Sequence, residues 1–562
     1  MRIATLLLLL ALSAVEGLAG CAPAAPAPDA SPLRTAAERR AGVAVLLHRG
    51  CADLAPENTL DACELAFALG ADGVEIDLRR TRDGTIVLLH DDWIDRVLDG
   101  WGRVADLSYE ELLVYAPPVP NRRVATLREV LELCRRYHGL LHLDVKVPGI
   151  DADILRQIDE AGLLEHVVTV NAANAAALRA DARVKVLPSH GSLIHGNDDY
   201  DMAAIRKKLA GAKAGTFLVD DPRAAIAALR RPAPDADAVV HRIPFSPAAP
   251  SWEDATEDLL EAALAPKPEL PRRQALARLI LRGAPVPAPA FEDLPEAVAA
   301  DWLWAYARMA ARGRRVPSGV GAAALATLLA ADEEETLEAA AELAGETSEV
   351  EAVPILLKLL AEHAPIRALA ADAPVSRIRM RAAAAKALGR IGSAGPEVLE
   401  GLRAAARDRS LHPDGAWQGL DGAMAVRALA RLDPAGSASF FKRLALRVDP
   451  RLSELKQGAG WDFRIKSEAI RGLGTSGSPE AKAALGALLE LSKEEADESW
   501  RELHADAARA LCSGAWTLRP DELRGLLQHP VPSARRAAAA YLLDRYVPAY
   551  KALRDDLLPW AR

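Results

Sequence analysis

The chain has 562 residues, half of them hydrophobic, with a formal net charge of −9. That length exceeds what one compact domain usually holds, so two or more domains are expected. The acidic balance excludes a nucleic-acid partner held by a basic surface, and 4% aromatics beside abundant Ala, Leu and Arg favours helices.

The first residues read "MRIATLLLLLALSAVEGLAGC": one early Arg, an apolar run and a small-residue exit. This is a secretory signal pattern and is set aside from the fold. Its ending "LAGC" resembles the lipobox of bacterial lipoproteins. The resemblance implies a signal peptide over 1–20, lipid attachment at Cys21 and a Pro/Ala-rich tether over 21–41. An ordinary cleaved signal with an incidental Cys is the alternative. No other stretch approaches the roughly 20 apolar residues of a membrane span. The expected location is therefore the bacterial cell envelope, lipid-anchored and facing the periplasm or the exterior. Cys51, Cys63, Cys134 and Cys512 form no CxxC or zinc-type spacing. Cys51 and Cys63 are a candidate disulfide pair, with buried free thiols as the alternative.

Residues 42–231 alternate short apolar strands with amphipathic helices. "VAVLLH" (Val43–His48), "GVEIDL" (Gly73–Leu78), "TIVLLH" (Thr85–His90), "LLHLDVK" (Leu140–Lys146), "HVVTV", "RVKVLP" and "GTFLVDD" read as strands. "ENTLDACELAFALGA" and "TLREVLELCRRY" read as helices. This alternation predicts a parallel α/β fold. Residues 232–330 read as a helical joining region.

From 331 to 562 the chain is helix after helix, and it repeats. Leu343, Leu388, Leu429, Leu473 and Leu511 are 45, 41, 44 and 38 residues apart, the period of HEAT-type repeats. An all-α, HEAT-like solenoid is expected, with a non-repeating bundle as the alternative. Such a stack offers a long surface suited to a protein partner.

In a parallel barrel the chemistry sits at the C-terminal ends of the strands. His48, His90, Glu75, Asp77 and Asp144 fall at or near such ends. Glu75 and Asp77 share one strand face, because side chains alternate with period two. Two clustered carboxylates repel unless a hard divalent cation neutralises them, and Asp144 makes a third. Lys146 offers a point charge and Arg49 a fork that fits phosphate. Together with two histidines able to move protons, this set suits a phosphorus centre. His142 shares the face of Asp144 and reads as buried structure.

"HRGCADLAPENT", "GVEIDLRRTRDGTIVLLHD" and "VATLREVL" resemble the glycerophosphodiester phosphodiesterase family over roughly 42–231. The resemblance implies a TIM-like barrel and Ca²⁺- or Mg²⁺-dependent cleavage of glycerophosphodiesters to glycerol 3-phosphate and an alcohol. It makes His48 and His90 the general base and acid, and Glu75, Asp77 and Asp144 the metal ligands. Arg49 and Lys146 become phosphate contacts, braced by Glu57 and Asn58. At residue 144 the family commonly has Glu. Between Pro188 and Gly215 lie 26 residues, room for about one β/α step where the family usually has two. A shortened barrel is one expectation, and a strand supplied by Asp237–Phe245 is the other. A catalytically impaired scaffold and a related phospholipid-cleaving lyase are the alternatives to hydrolysis.

Overall fold

The computed structural model describes residues 35–541, leaving out 53–54, 118–121, 171–172, 194–201, 210–211, 221–224, 227–228, 230–253, 266–270, 292–293, 362–372, 409–418, 447–458, 491–497, 515, 530–533, 535–536 and 539–540. The signal and tether, Cys21 and Asp237–Phe245 lie outside the described residues. No helix among the described residues is long and apolar enough to cross a membrane.

The N-terminal part is built on six parallel strands: β1 (Val43–Leu47), β2 (Gly73–Arg80), β4 (Leu140–Val145), β5 (Val167–Val170), β6 (Ser189–Leu193) and β7 (Gly215–Val219), in the order β5-β4-β2-β1-β7-β6. This is a TIM-like half-barrel. The order places β1 and β2 centrally, so the residues that follow them reach the middle of the barrel mouth. Leu187 donates to Val168 O at 2.8 Å, and Thr216 donates to Pro188 O at 2.7 Å. The stretch before β6 thus touches both flanks at the N-terminal end of the strands, while no ladder joins β5 to β6 among the described residues. Helix α1 (Ala36–Arg40) closes this end, with Ala36 packed on the inward-facing Ala44, Leu46, Leu140 and Val168.

Two strand expectations change. Ile86–Leu88 (β3) pairs antiparallel with β2, because the Asp83-Gly84 turn, with Gly84 at φ 89°, folds the chain straight back. Thr85–His90 is therefore a hairpin arm that carries His90 over the mouth. "RVKVLP" (Arg183–Pro188) forms no strand, and β6 begins only after Pro188, whose missing N–H interrupts a ladder.

Helix α2 (Leu60–Ala68) is capped by the Thr59 side chain. Helix α4 (Leu127–Tyr137) starts at a Thr126/Glu129 capping box. Between β3 and α4 the chain makes a long excursion that includes α3 (Tyr109–Tyr115).

The remainder is helical. Helices α5 (Arg272–Arg282), α6 (Glu296–Ala311), α7 (Glu334–Glu346), α8 (Ala373–Ile391), α9 (Leu420–Leu432), α10 (Ala459–Ser476) and α11 (Glu498–Ser513) follow in chain order, and α6 to α11 stack each on the next. The stacking is close where the sequence is small. A Cβ on Gly345 would fall 2.6 Å from Ala387 Cα, and one on Gly389 would fall 2.9 Å from Ala428 Cα. Ion pairs recur at the same interval. Arg377–Glu334, Arg379–Glu338, Lys386–Glu342, Arg427–Glu468 and Lys482–Glu522 each join residues 40 to 44 apart in sequence.

The two larger apolar cores among the described residues divide the molecule in a way the strand and helix pattern does not predict. The barrel core takes Val45, Leu47, Leu60, Val74, Ile76, Leu131 and their neighbours. Val87, Leu89, Trp93, Ile94, Trp101, Leu112 and Val124 belong instead to the core of the helical stack. The excursion after β3 is covalently part of the barrel and energetically part of the stack.

Candidate functional site

His48 follows β1 directly. Its N–H donates to Val219 O at 3.0 Å, and its Nδ1 lies 3.2 Å from Asp220 Oδ1 at the end of β7. Arg49 and Gly50 then adopt left-handed backbone, at φ 54° and 73°. Gly50 is required, since a Cβ there would fall 2.7 Å from the Ala62 backbone. Arg49 costs about 1–2 kcal/mol in this region. In return its N–H is aimed at Glu75 Oε2, 2.7 Å away. Asn58, at φ 58°, locks the same turn to β2. Its N–H donates to Arg49 O at 2.9 Å, its Nδ2 donates to Asp77 Oδ2 at 2.7 Å, and its Oδ1 accepts from Asp77 N at 3.1 Å.

Glu75 and Asp77 are buried on the inward face of β2, and their register partners on β4 are His142 and Asp144. One carboxylate oxygen of each of Glu75, Asp77 and Asp144 lies within 4.8 Å of the others. Burial and the neighbouring Asp77 push the Glu75 carboxyl well above its usual range. This is a cradle that calls for a cation. Within it the Lys146 ammonium sits 2.9 Å from Asp77 Oδ1 and 2.6 Å from Asp144 Oδ2. An ammonium bridging two of the three acids shows that positive charge is accommodated there, and an all-oxygen donor set fits a hard divalent ion. His142, read as buried structure, faces the same group. Burial lowers its imidazole to about 4 against the pull of Asp144, so the ring is neutral near pH 7.

His90 lies two residues beyond β3. Its backbone O accepts from Arg79 Nε and Nη2 at 3.0 and 2.8 Å, and its Nδ1 lies 2.7 Å from Asp91 Oδ1. Arg96 Nε donates to the other Asp91 oxygen, and its two terminal nitrogens grip Glu57 at 2.6 Å each. Glu57 Oε1 also accepts from Arg49 Nη1 at 3.2 Å, and Arg49 Nε is 3.3 Å from Asp77 Oδ2. Burial opposes ionisation of Glu57, but Arg96 and Arg49 bring its carboxyl down to about 2.

The structure thus brings His48, Arg49, Glu57, Asn58, Glu75, Asp77, His90, Asp144 and Lys146 into one region. Arg49 and Lys146, expected to contact phosphate, here point at carboxylates. Asp220, Asp91, Arg96 and Arg79 join the site without having been singled out, and His142, expected to be structural, joins it as well. Asp220 carried one signal: like His48 and His90, it directly follows an apolar strand.

Acids that need a cation stand beside Arg49 and Lys146 at the C-terminal end of parallel strands, the end at which barrel active sites are built. Residues 48–186 match the model of the glycerophosphoryl diester phosphodiesterase family. Among curated proteins, the chain is similar to a glycerophosphodiester phosphodiesterase of Caldanaerobacter subterraneus. The two are 35% identical over 22% of this chain and 56% of the relative. It is also similar to glycerophosphodiester phosphodiesterase 1 of Bos taurus, 39% identical over 21% of this chain and 39% of that protein. The chain therefore spans about half the length, or less, of these relatives. Among solved structures it resembles a glycerophosphodiester phosphodiesterase from Agrobacterium tumefaciens, at 19% identity and a TM-score of 0.29 over 33% of this chain and 99% of that one. An Oleispira antarctica phosphodiesterase in complex with sn-glycerol-3-phosphate matches at 20% identity and a TM-score of 0.26, over 35% of this chain and 100% of that one.

Proposed function

We propose that the protein hydrolyses glycerophosphodiesters to glycerol 3-phosphate and an alcohol, with Ca²⁺ or Mg²⁺ held by Glu75, Asp77 and Asp144. The observation that carries this reading is the three-carboxylate cradle, with Glu75 and Asp77 buried, flanked by two carboxylate-oriented histidines. A bound divalent ion would supply charge to polarise the phosphoryl oxygens. His48, with Asp220 facing Nδ1, presents Nε2 as the general base toward a glycerol hydroxyl, whose attack on phosphorus would expel the alcohol and close a cyclic phosphate that water then opens to glycerol 3-phosphate. His90, braced by Asp91, presents Nε2 as the general acid toward the leaving oxygen. Arg49 and Lys146 turn from their carboxylates to phosphate oxygens when substrate arrives, while Glu57 and Asn58 hold the turn that carries Arg49.

In this reading residues 1–20 are a signal peptide, Cys21 carries the lipid, 21–41 tether the protein to the envelope, 42–231 are the catalytic domain and 232–330 join it to a HEAT-like domain over 331–562. The recurring Gly–Ala contacts and repeat-spaced ion pairs support the HEAT-like assignment. Its outer faces suit a protein partner. The gap between β5 and β6 favours a second reading, in which the barrel only scaffolds the helical platform.

The test is incubation of the full chain with glycerophosphocholine and glycerophosphoethanolamine, with Ca²⁺, with Mg²⁺ and with chelator. Release of glycerol 3-phosphate that stops on chelation supports hydrolysis. A folded chain that releases none with either ion supports the scaffold.

A further inference from the structure

The excursion after β3 begins at the residues that orient His90 and ends deep in the helical stack. Asp91 and Arg96 belong to the site. The residues beside and between them belong to the stack's core: Trp93 and Ile94 are buried there, and so is Trp101. Three polar anchors fix the same segment to four different helices. Asp95 meets Arg464 of α10 at 2.9 Å. Asp99 meets Lys386 and Arg390 of α8 at 3.2 and 3.4 Å, and its backbone O accepts from Arg308 of α6 at 3.1 Å. Trp101 Nε1 donates to Glu338 of α7 at 2.6 Å, and Lys386 Nζ sits 5.5 Å from the centre of its ring. Further along, Arg312 donates to the carbonyls of Leu113, Val114 and Ala116 and so caps the C-terminus of α3. Trp304 Nε1 donates to the Tyr115 hydroxyl at 2.7 Å.

These contacts span α6 to α10, so the inner face of the stack is occupied by the barrel's own segment. Their register also matters. Arg464 holds Asp95, the residue immediately before Arg96. Arg96 in turn grips Asp91, beside His90, and Glu57, in the segment that fixes Arg49. A shift of Asp95 moves Arg96 with it, and Arg96 is a direct bridge between the two halves of the mouth.

We propose that the helical stack is a positioning element of the active site in cis: through Arg464 and Asp95, seconded by Asp99 and Trp101, it holds the His90–Arg96 segment in its working geometry. The repeats then complete the barrel mouth from outside, on the side where the segment would otherwise be a long surface loop. Arg464 is a positioning residue that touches neither substrate nor metal. The catalytic part of this proposal rests on the phosphodiesterase reading; the clamp itself does not.

The experiment uses the full chain and three variants: Arg464→Ala, Arg464→Lys, and the charge swap Asp95→Arg with Arg464→Asp. Amide hydrogen exchange is followed across residues 91–102, with β2 and α8 as internal references, and kcat and KM are measured on glycerophosphocholine. In Arg464→Ala, exchange over 91–102 accelerates while the references hold. There kcat falls roughly 10–10²-fold, the scale of a misplaced catalytic group, and KM stays within about twofold. Arg464→Lys and the charge swap recover both readouts. Unchanged exchange over 91–102 in Arg464→Ala overturns the clamp. Faster exchange with wild-type kcat overturns the positioning role. A wild-type chain without turnover sinks the phosphodiesterase reading, and exchange then still decides the clamp.

Discussion

Arg96 and Glu57 face each other fork to fork, with both nitrogen–oxygen distances at 2.6 Å, and this pair joins the chain segment that follows His48 to the one that follows His90. Bidentate guanidinium–carboxylate pairs are among the more directional contacts a protein makes. Glu57 is held on its other side by Arg49, and Arg96 is held by Asp91. The two histidine-bearing segments, already joined through the backbone ladder of β2, are therefore also tied directly to each other by side chains.

The pair has a pH signature. Glu57 titrates near 2 in the folded protein, below the ordinary carboxylate value of 4.5. A depressed carboxyl contributes stability that is fully present above the unfolded value and is lost as pH falls through the folded one. The window is therefore about pH 4.5 down to 2, and the contribution is of order 3 kcal/mol. Glu57→Gln should flatten this part of the stability–pH curve, measured by thermal or urea unfolding. A curve parallel to wild type would show that the Arg96–Glu57 contact carries no net linkage.

Asp220 faces Nδ1 of His48 from the end of β7. Asp220→Asn keeps the shape but removes the charge that fixes the tautomer. Turnover should fall, by less than the roughly 10²–10⁴-fold loss expected of His48→Ala, with the melting temperature little changed. Wild-type kcat in Asp220→Asn would separate Asp220 from the reaction.

Glu75→Ala and Asp77→Ala should each abolish divalent-ion binding in a calorimetric titration of the full chain. Asp144→Ala should weaken it less, because Asp144 is the most exposed of the three acids. Ca²⁺ and Mg²⁺ isotherms that match wild type in both β2 variants would remove these carboxylates from the metal site.

Within the helical stack, Gly345→Ala drives a methyl into the Ala387 backbone and should destabilise by about 1–3 kcal/mol. Gly486 meets nothing within 4 Å, so Gly486→Ala should be neutral or stabilising by about 1 kcal/mol. Equal melting temperatures for the two variants would contradict the close stacking of α7 on α8.

Much of this was legible because it is local. His48, Arg49, Glu57 and Asn58 lie within eleven residues, and period-two alternation alone puts Glu75 with Asp77. The helical character of the C-terminal part was legible from its Ala- and Leu-rich runs. What escaped depends on chain segments far apart in sequence. Asp220 reaches His48 across 172 residues, and Trp101 reaches Glu338 across 237. Neither pairing leaves a local pattern. Arg96 was missed because a lone Arg in a loop looks like any solvated charge. The hairpin at β3 was misjudged because an apolar run of that length fits a parallel strand as well as a returning one. His142 was set aside because a histidine inside an apolar strand is usually satisfied structure, and only the β2–β4 register places it opposite Glu75.

The central claim is that one divalent ion, three carboxylates and two histidines act on a single phosphorus. Following ³¹P resonances while the full chain acts on glycerophosphocholine tests it most directly. The account predicts that the diester signal is replaced by glycerol 3-phosphate only when Ca²⁺ or Mg²⁺ is present, and that His48→Ala and His90→Ala each arrest the conversion while still binding the ion. Conversion that persists in excess chelator, or in either histidine variant at the wild-type rate, would contradict it.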